Sequence, residues 1–141
     1  MAMTTFTGPV RSLNGFMQPV EYITSATVSP FTISAGGTYV ILDASQGGPT
    51  TVVTLVLPQV TSGTFLPGQY PADANFNGIR GQVYNQSNDT THILKGFGTQ
   101  PVNENAAGVQ IGQGKVIQWV GNGNQSAPWL AITSDLATNA T

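Results

Sequence analysis

The one histidine in this sequence is the first residue that could do acid–base chemistry. His92 lies in a segment, 91–95, that has the alternation of a β-strand. A metal site needs three or four ligands, and the chain has one histidine and no cysteine. Ser87 and Asp89 could complete a nucleophile–histidine–acid triad, but only their closeness in sequence supports that arrangement. We therefore predict a structural or surface histidine, no catalytic residue and no metal site.

The acidic side chains raise the possibility of glycoside hydrolysis, which needs two carboxylates that face each other across a sugar bond. The chain has six acids, which can form many pairs by chance, and none of them lies in a recognisable motif. We predict that they are solvated loop residues and that the protein is not an enzyme. Cleavage of a polysaccharide that is lost in Asp73→Asn or Glu104→Gln would contradict this prediction.

The segment 112–115, Gly-Gln-Gly-Lys, is superficially similar to a phosphate-binding loop. A Walker loop continues with Ser or Thr and then a helix, whereas Val116 and Ile117 follow here in a strand pattern. The pattern instead predicts a hairpin turn between 109–111 and 115–120. We expect no cofactor.

Charged side chains are too few for several classes of protein. The 141 residues include four basic and six acidic side chains, or 7%, against roughly 25% in an ordinary soluble domain. Four basic residues cannot form a nucleic-acid groove, and apolar runs as short as 55–57 cannot span a membrane. We predict no nucleic-acid partner and no membrane partner. Because charge normally keeps proteins apart in solution, so uncharged a surface suggests contact with other proteins.

Short apolar–polar alternations, separated by Gly, Pro and Asn, indicate β-strands along most of the chain. No window shows the spacing of an amphipathic helix. We predict an all-β fold, a compact antiparallel β-sandwich or barrel of jelly-roll type with an extended N-terminal arm. The predicted strands are 22–28, 31–33, 38–42, 51–57, 79–85, 91–95, 109–111, 115–120 and 129–133.

We predict three regions: an N-terminal arm at 1–20, a β domain at 21–134 and a flexible C-terminal tail at 135–141. The arm has turn signals but no regular apolar period, so it could cross to a neighbouring subunit or fold back as an edge strand. The irregular stretch 61–78 contains several aromatic residues, which favours contact with a partner. Trp119 and Trp129 are predicted in the core, with a platform for a sugar ring as the alternative.

Two stretches resemble a known group of proteins. The segment 6–16, Phe-Thr-Gly-Pro-Val-Arg-Ser-Leu-Asn-Gly-Phe, resembles the opening of small virion proteins of tailed bacteriophages. The segment 51–133 resembles β modules of phage head-decoration and fibre proteins. The matching pieces are a Val/Leu strand ending in Leu57-Pro58, Val83-Tyr84-Asn85, His92-Ile93-Leu94-Lys95 with Gly98, the run 114–120, a Gly-Asn turn and the run 129–132.

The resemblance implies a capsid decoration (cement) protein. Such a protein is a homotrimer on the outer surface of the virion head, and it stabilises contacts between subunits of the major capsid protein. The absence of a long repetitive stalk favours a free-standing capsid accessory. The alternative is a short fibre or tip module that binds host-surface glycans. The expected capsid contacts in the arm are Phe6, Pro9, Val10, Arg11, Phe16 and Met17, and those in the partner-contact loop are Phe65, Leu66, Tyr70 and Phe76.

Overall fold

The computed structural model describes residues 20–60, 78–122 and 126–137. The regular structure of this part of the chain is short strands and a single turn of 3₁₀ helix, Ala44–Gln46, so the all-β prediction is confirmed. No helix in it has the length and hydropathy needed to cross a membrane. The strands are β1 (Val20–Ile23), β2 (Phe31–Thr32), β3 (Gly37–Ile41), β4 (Thr54–Val56), β5 (Arg80–Asn85), β6 (His92–Lys95), β7 (Val109–Ile111), β8 (Lys115–Gly121) and β9 (Trp129–Asp135).

Two open sheets contain these strands. One has five strands in the order β1-β3-β5-β8-β9, and the other has four in the order β2-β4-β6-β7. From β1 to β6 the chain crosses to the opposite sheet after every strand, so the neighbours β1, β3 and β5 are parallel, as are β2, β4 and β6. The last three strands pair antiparallel, β7 with β6, β8 with β5 and β9 with β8.

The predicted antiparallel arrangement is therefore wrong for the first six strands, and the barrel alternative is wrong because neither sheet closes. Glycine and proline turns between short strands usually indicate hairpins. Here each turn sends the chain to the other sheet, so the next strand of the same sheet runs in the same direction. Apolar–polar alternation has the same period in both cases and cannot separate them.

The hairpin predicted at 112–114 is also wrong. β7 and β8, which flank this turn, belong to different sheets. The turn is closed by the Lys115 N–H, which donates to the Gly112 carbonyl over 3.2 Å, and Gly114 has a φ of 63° that favours glycine. The turn thus carries the chain from one sheet to the other, as the connections from β1 to β6 do.

One hydrophobic core lies against the inner faces of both sheets, because strands of each contribute fully buried side chains. On β3, Tyr39 and Ile41 are buried and Val40 is half-buried, and on β5 the buried set includes Val83, as the alternation predicts. The core residues are Ile23, Ile33, Ala35, Tyr39, Ile41, Val53, Leu55, Leu57, Val60, Val83, Leu94, Val102, Ile111, Ile117, Trp119 and Trp129.

Both tryptophans belong to this core, which confirms the core prediction and rules them out as a sugar platform. The Trp119 indole donates its Nε1–H to the Ala35 carbonyl over 2.7 Å, and its ring lies 6.4 Å from that of Tyr39. Gly81 is opposite Trp119 in the antiparallel pair of β5 and β8. A Cβ on Gly81 would come within 2.4 Å of Trp119 Cζ2, so the indole occupies the space a side chain would need.

A buried amide joins three segments at one end of the core. Asn85 is fully buried, and its Nδ2 lies 3.0 Å from the carbonyl oxygens of Thr90, Ile111 and Gly112. Its Oδ1 accepts from the Ser87 N–H over 3.0 Å. The end of β5, the approach to β6 and the end of β7 are thereby fixed to one side chain.

Candidate interaction surface

His92 is buried in this fold, which agrees with the structural role predicted from the sequence and not with the surface alternative. It is fully buried, and its Nδ1 accepts a hydrogen bond of 3.0 Å from the Val53 N–H at the entry to β4. The neutral ring therefore carries its hydrogen on Nε2, which has no hydrogen-bond partner in the described structure. Desolvation by burial holds the pKa of His92 below its usual value of 6.5.

The protein is expected to lose stability as the pH falls below about 6.5, the ordinary histidine pKa. In the unfolded chain His92 then takes up a proton, whereas the buried ring does not. The free energy of unfolding therefore falls by up to about 1.4 kcal/mol for each pH unit. Above that pH the imidazole is neutral in both the folded and the unfolded state, and this dependence on pH vanishes. Urea unfolding between about pH 7.5 and pH 5.5, above most carboxylate titration, measures the effect.

The matched control is His92→Asn, whose side-chain oxygen can still accept from the Val53 N–H but cannot titrate. We expect it to abolish the slope in this pH range. An equal slope in the wild type and in His92→Asn would contradict the assignment.

The triad suggested by closeness in sequence is not assembled. Ser87 Oγ donates to Asp89 Oδ1 over 2.8 Å and accepts from the Thr90 N–H over 3.0 Å. The described residues contain no hydrogen bond from Ser87 or Asp89 to His92. These polar groups instead stabilise the turn between β5 and β6.

Asp43, Asp135 and the lysine of the Gly-Gln-Gly-Lys segment have local partners. Asp43 accepts from the hydroxyl and the N–H of Ser45, and these hydrogen bonds lower the pKa of Asp43. Lys115 pairs with Asp135 across β8 and β9. Across the three described ranges, no group of three or more potential metal ligands occurs. Asp73 lies outside those ranges.

Every residue predicted to contact a partner lies outside the described residues. The positions concerned are Phe6, Pro9, Val10, Arg11, Phe16 and Met17 of the arm and Phe65, Leu66, Tyr70 and Phe76 of the loop. Their predicted roles stay predictions.

The described residues do contain a surface with the character of a contact site. We call it the outer face: the side of the five-stranded sheet that points away from the core. One row across it runs Val20, Thr38, Gln82, Gln118 and Ile132, as the strand register dictates. Gln118 Nε2 donates to Gln82 Oε1 over 3.3 Å, and Gln82 Nε2 donates to Thr38 Oγ1 over 3.2 Å. An uncharged polar centre is thus flanked at both ends by an exposed aliphatic side chain.

Large hydrophobic side chains project from both ends of the outer face. Tyr22 on β1 is 58% exposed, and Leu130 and Ile132 on β9 are 48% and 64% exposed. A shallow groove of about 300 Å³ lies over β5, β8 and β9. Arg80 is the one charged residue among those that line it. The residues that line the groove are Arg80, Gly81, Gln82, Gln118, Trp119, Val120, Leu130 and Ile132.

A second groove, of about 690 Å³, lies over the outer side of the four-stranded sheet. It includes the exposed ring of Phe97 and the amine-bearing Lys95. Aliphatic and hydroxyl side chains of β2, β4 and β6 form most of the rest. The low charge inferred from composition thus extends over the outer sides of both sheets.

Sequence reasoning placed the contact residues in the arm and the loop and missed the outer face. The signal was present in β9, where Leu130 and Ile132 alternate with the core residue Trp129 and with Ala131. A strand with apolar residues on both faces indicates either a central position or a covered outer face. β9 is at the edge of its sheet, which excludes the first explanation.

Comparison with protein-family models, with curated proteins and with solved structures returned no match to this chain.

Proposed function

We propose that this protein is a phage capsid decoration (cement) protein that binds the outer surface of the head and stabilises contacts between major capsid subunits. The observation that supports this most is the outer face, a five-stranded surface with exposed Tyr22, Leu130 and Ile132 around an uncharged glutamine row. Exposed apolar groups in such number are typical of surfaces that meet another protein. The resemblance of segments 6–16 and 51–133 to virion proteins agrees with it.

The physical case rests on the cost of removing water from the contact. A charged group loses strong hydration when a partner covers it, which opposes binding. Burial of an aliphatic or aromatic side chain favours binding. The outer face offers side chains of the second kind at both ends and uncharged amide and hydroxyl groups at its centre. Assembly as a homotrimer would add multivalency, because one docked subunit raises the effective concentration of the other two.

The proposed architecture serves this role as a rigid body. We propose that the two sheets stack as a β-sandwich over their shared core; the jelly-roll type stays a prediction. Such a body holds the outer face flat while the arm, in this proposal, reaches a neighbouring capsid subunit. No catalytic group is required.

The copy number of the protein per virion tests the proposal. Quantitative mass spectrometry against the major capsid protein is expected to give a ratio near one, since a cement protein occupies the whole shell. In virions carrying Tyr22→Glu we expect the ratio to fall at least about tenfold. A charge placed in the contact lowers the binding free energy by more than about 1.4 kcal/mol.

Val28→Glu is the matched control, since Val28 is 78% exposed and lies outside both sheets. It should leave the ratio unchanged. A wild-type ratio far below one would overturn the cement function and favour the short fibre or tip that binds glycans. A normal ratio for Tyr22→Glu would show that the outer face is not the contact.

A further inference from the structure

β9 forms an edge of the five-stranded sheet, and the first half of that edge is already occupied. The Asn103 N–H donates to the Trp129 carbonyl over 3.0 Å. The side chain of Asn103 then pairs with Ala131 in both directions: Oδ1 accepts from the Ala131 N–H over 2.7 Å, and Nδ2 donates to the Ala131 carbonyl over 2.8 Å. This single residue imitates a neighbouring strand.

The second half of the same edge has no such cover among the described residues. Backbone groups alternate sides along a strand, so Thr133 and Asp135 point the same way as Trp129 and Ala131. The Leu136 N–H donates to the Gly114 carbonyl over 3.0 Å, on the side of β8. The even-numbered residues of this segment therefore point their backbone groups towards β8, and the odd-numbered residues point theirs away from it. Thr133 and Asp135 therefore present their N–H and C=O groups outwards.

The side chains in this half are exposed on both faces of the sheet, from Ile132 to Asp135. Natural proteins usually block such an edge with proline, lysine or a bulge. The β9 sequence, Trp-Leu-Ala-Ile-Thr-Ser-Asp, contains neither proline nor lysine. The open edge is thus suited to receive another strand.

We propose that β9 pairs with β9 of a second copy of this chain, antiparallel, about a two-fold axis at Ser134. Thr133 then lies opposite the partner's Asp135, and Asp135 lies opposite the partner's Thr133. Both are outward-facing residues, so each of these two pairs exchanges two backbone hydrogen bonds. The five-stranded sheet becomes one continuous sheet across both copies.

The charges and side chains of β9 suit a second copy in this register. Asp135 already pairs with Lys115 in its own chain and faces a hydroxyl across the axis, so no like charges meet. Ile132 lies opposite the partner's Leu136, which gives an apolar pair on each side of the axis. Cross-strand apolar pairs of this kind stabilise antiparallel sheets.

Shifting the axis to Thr133 weakens the contact. Asp135 would then face the partner's Ala131, and in each chain the groups of Ala131 are bound to Asn103. One hydrogen-bonded pair would remain instead of two. Asn103 therefore disfavours the axis at Thr133, and an axis at Asp135 would place two like charges opposite each other.

The contact is small, well under the roughly 1,200 Å² of a stable interface, so we expect dissociation constants on the order of 0.1 mM. A contact between identical patches generates two-fold symmetry only, and it is independent of a three-fold contact. It would therefore double a monomer to a dimer, and it would join trimers to each other, as a hexamer where its two-fold axis is perpendicular to the three-fold axis.

Sedimentation equilibrium, from about tenfold below to about tenfold above that constant, measures the doubling. Thr133→Pro removes the outward N–H while leaving the hydrogen bonds to β8, since proline is tolerated at an edge. We expect it to abolish doubling. Thr133→Ala, the matched control, keeps the N–H and should double like the wild type.

Hydrogen exchange on the wild type gives a second test that does not depend on any variant folding. The amides of Thr133 and Asp135 should be protected at high concentration and lose that protection on dilution. Absence of doubling, doubling retained in Thr133→Pro, or unprotected amides at the highest concentration would each overturn the inference. Trimers that never double would overturn it while leaving the proposed trimer intact.

Discussion

Replacing Asn85 by alanine is expected to lower the free energy of unfolding by about 3–5 kcal/mol. The amide is fully buried and satisfies carbonyl oxygens of Ile111 and Gly112 as well as the Ser87 N–H. Alanine leaves these groups without partners in a site too buried for full hydration. Urea unfolding at about pH 7.5, followed by tryptophan fluorescence, measures the loss.

Gln86→Ala is the matched control, because Gln86 is the next residue and its side chain is exposed. We expect it to change stability by about 0.5 kcal/mol or less. A loss below about 1 kcal/mol in Asn85→Ala would mean that water replaces the amide at little cost, and the site would then not hold the sheets together.

The role of Asn85 shows where sequence reasoning ends. Its position at the end of an alternating strand is visible in the sequence, and so is its inward phase with Val83. Its partners at Ile111 and Gly112 are 26 and 27 residues away. A local sequence pattern cannot predict contacts between residues so far apart. These contacts depend on which of the two sheets the chain enters after each turn.

His92 gives the same lesson with a different outcome. One histidine and no cysteine exclude a histidine–cysteine metal site, so a structural role follows from composition. The hydrogen-bond donor to the His92 ring is the Val53 N–H, 39 residues earlier in the chain. The class of role could be predicted, whereas the contact that explains it could not.

Most strand positions and inward faces were predictable because both depend on a period of two residues. The bounds were wrong at two strands: the one predicted at 22–28 is Val20–Ile23, and the one predicted at 51–57 is Thr54–Val56. Strand direction was not predictable, since the crossings between the sheets after β1 to β5 leave no mark on that period. The outer face was missed for a related reason. Tyr22 and Ile132 lie at opposite ends of one surface only after the register places β1 and β9 at the two edges of the same sheet.

Gly81→Val is expected to lower the free energy of unfolding by about 3–4 kcal/mol, from overpacking and a lost hydrogen bond. A Cβ at this position would lie 2.4 Å from Trp119 Cζ2, so the indole must move. Movement breaks the bond of 2.7 Å from Nε1 to the Ala35 carbonyl and leaves both groups buried without partners. Urea unfolding and the near-ultraviolet circular dichroism of tryptophan measure the two effects.

Two comparisons separate this cause from a general intolerance of side chains at glycine. Gly36→Ala adds a Cβ that would lie 3.4 Å from Ile79 Cγ2, a distance a small shift relieves, so a change of about 1 kcal/mol or less is expected. In the double variant Gly81→Val with Trp119→Leu the clash is removed, and the combined loss should be smaller than the sum of the single losses. Strict additivity would place the strain elsewhere, because two residues that compete for one space cannot act independently.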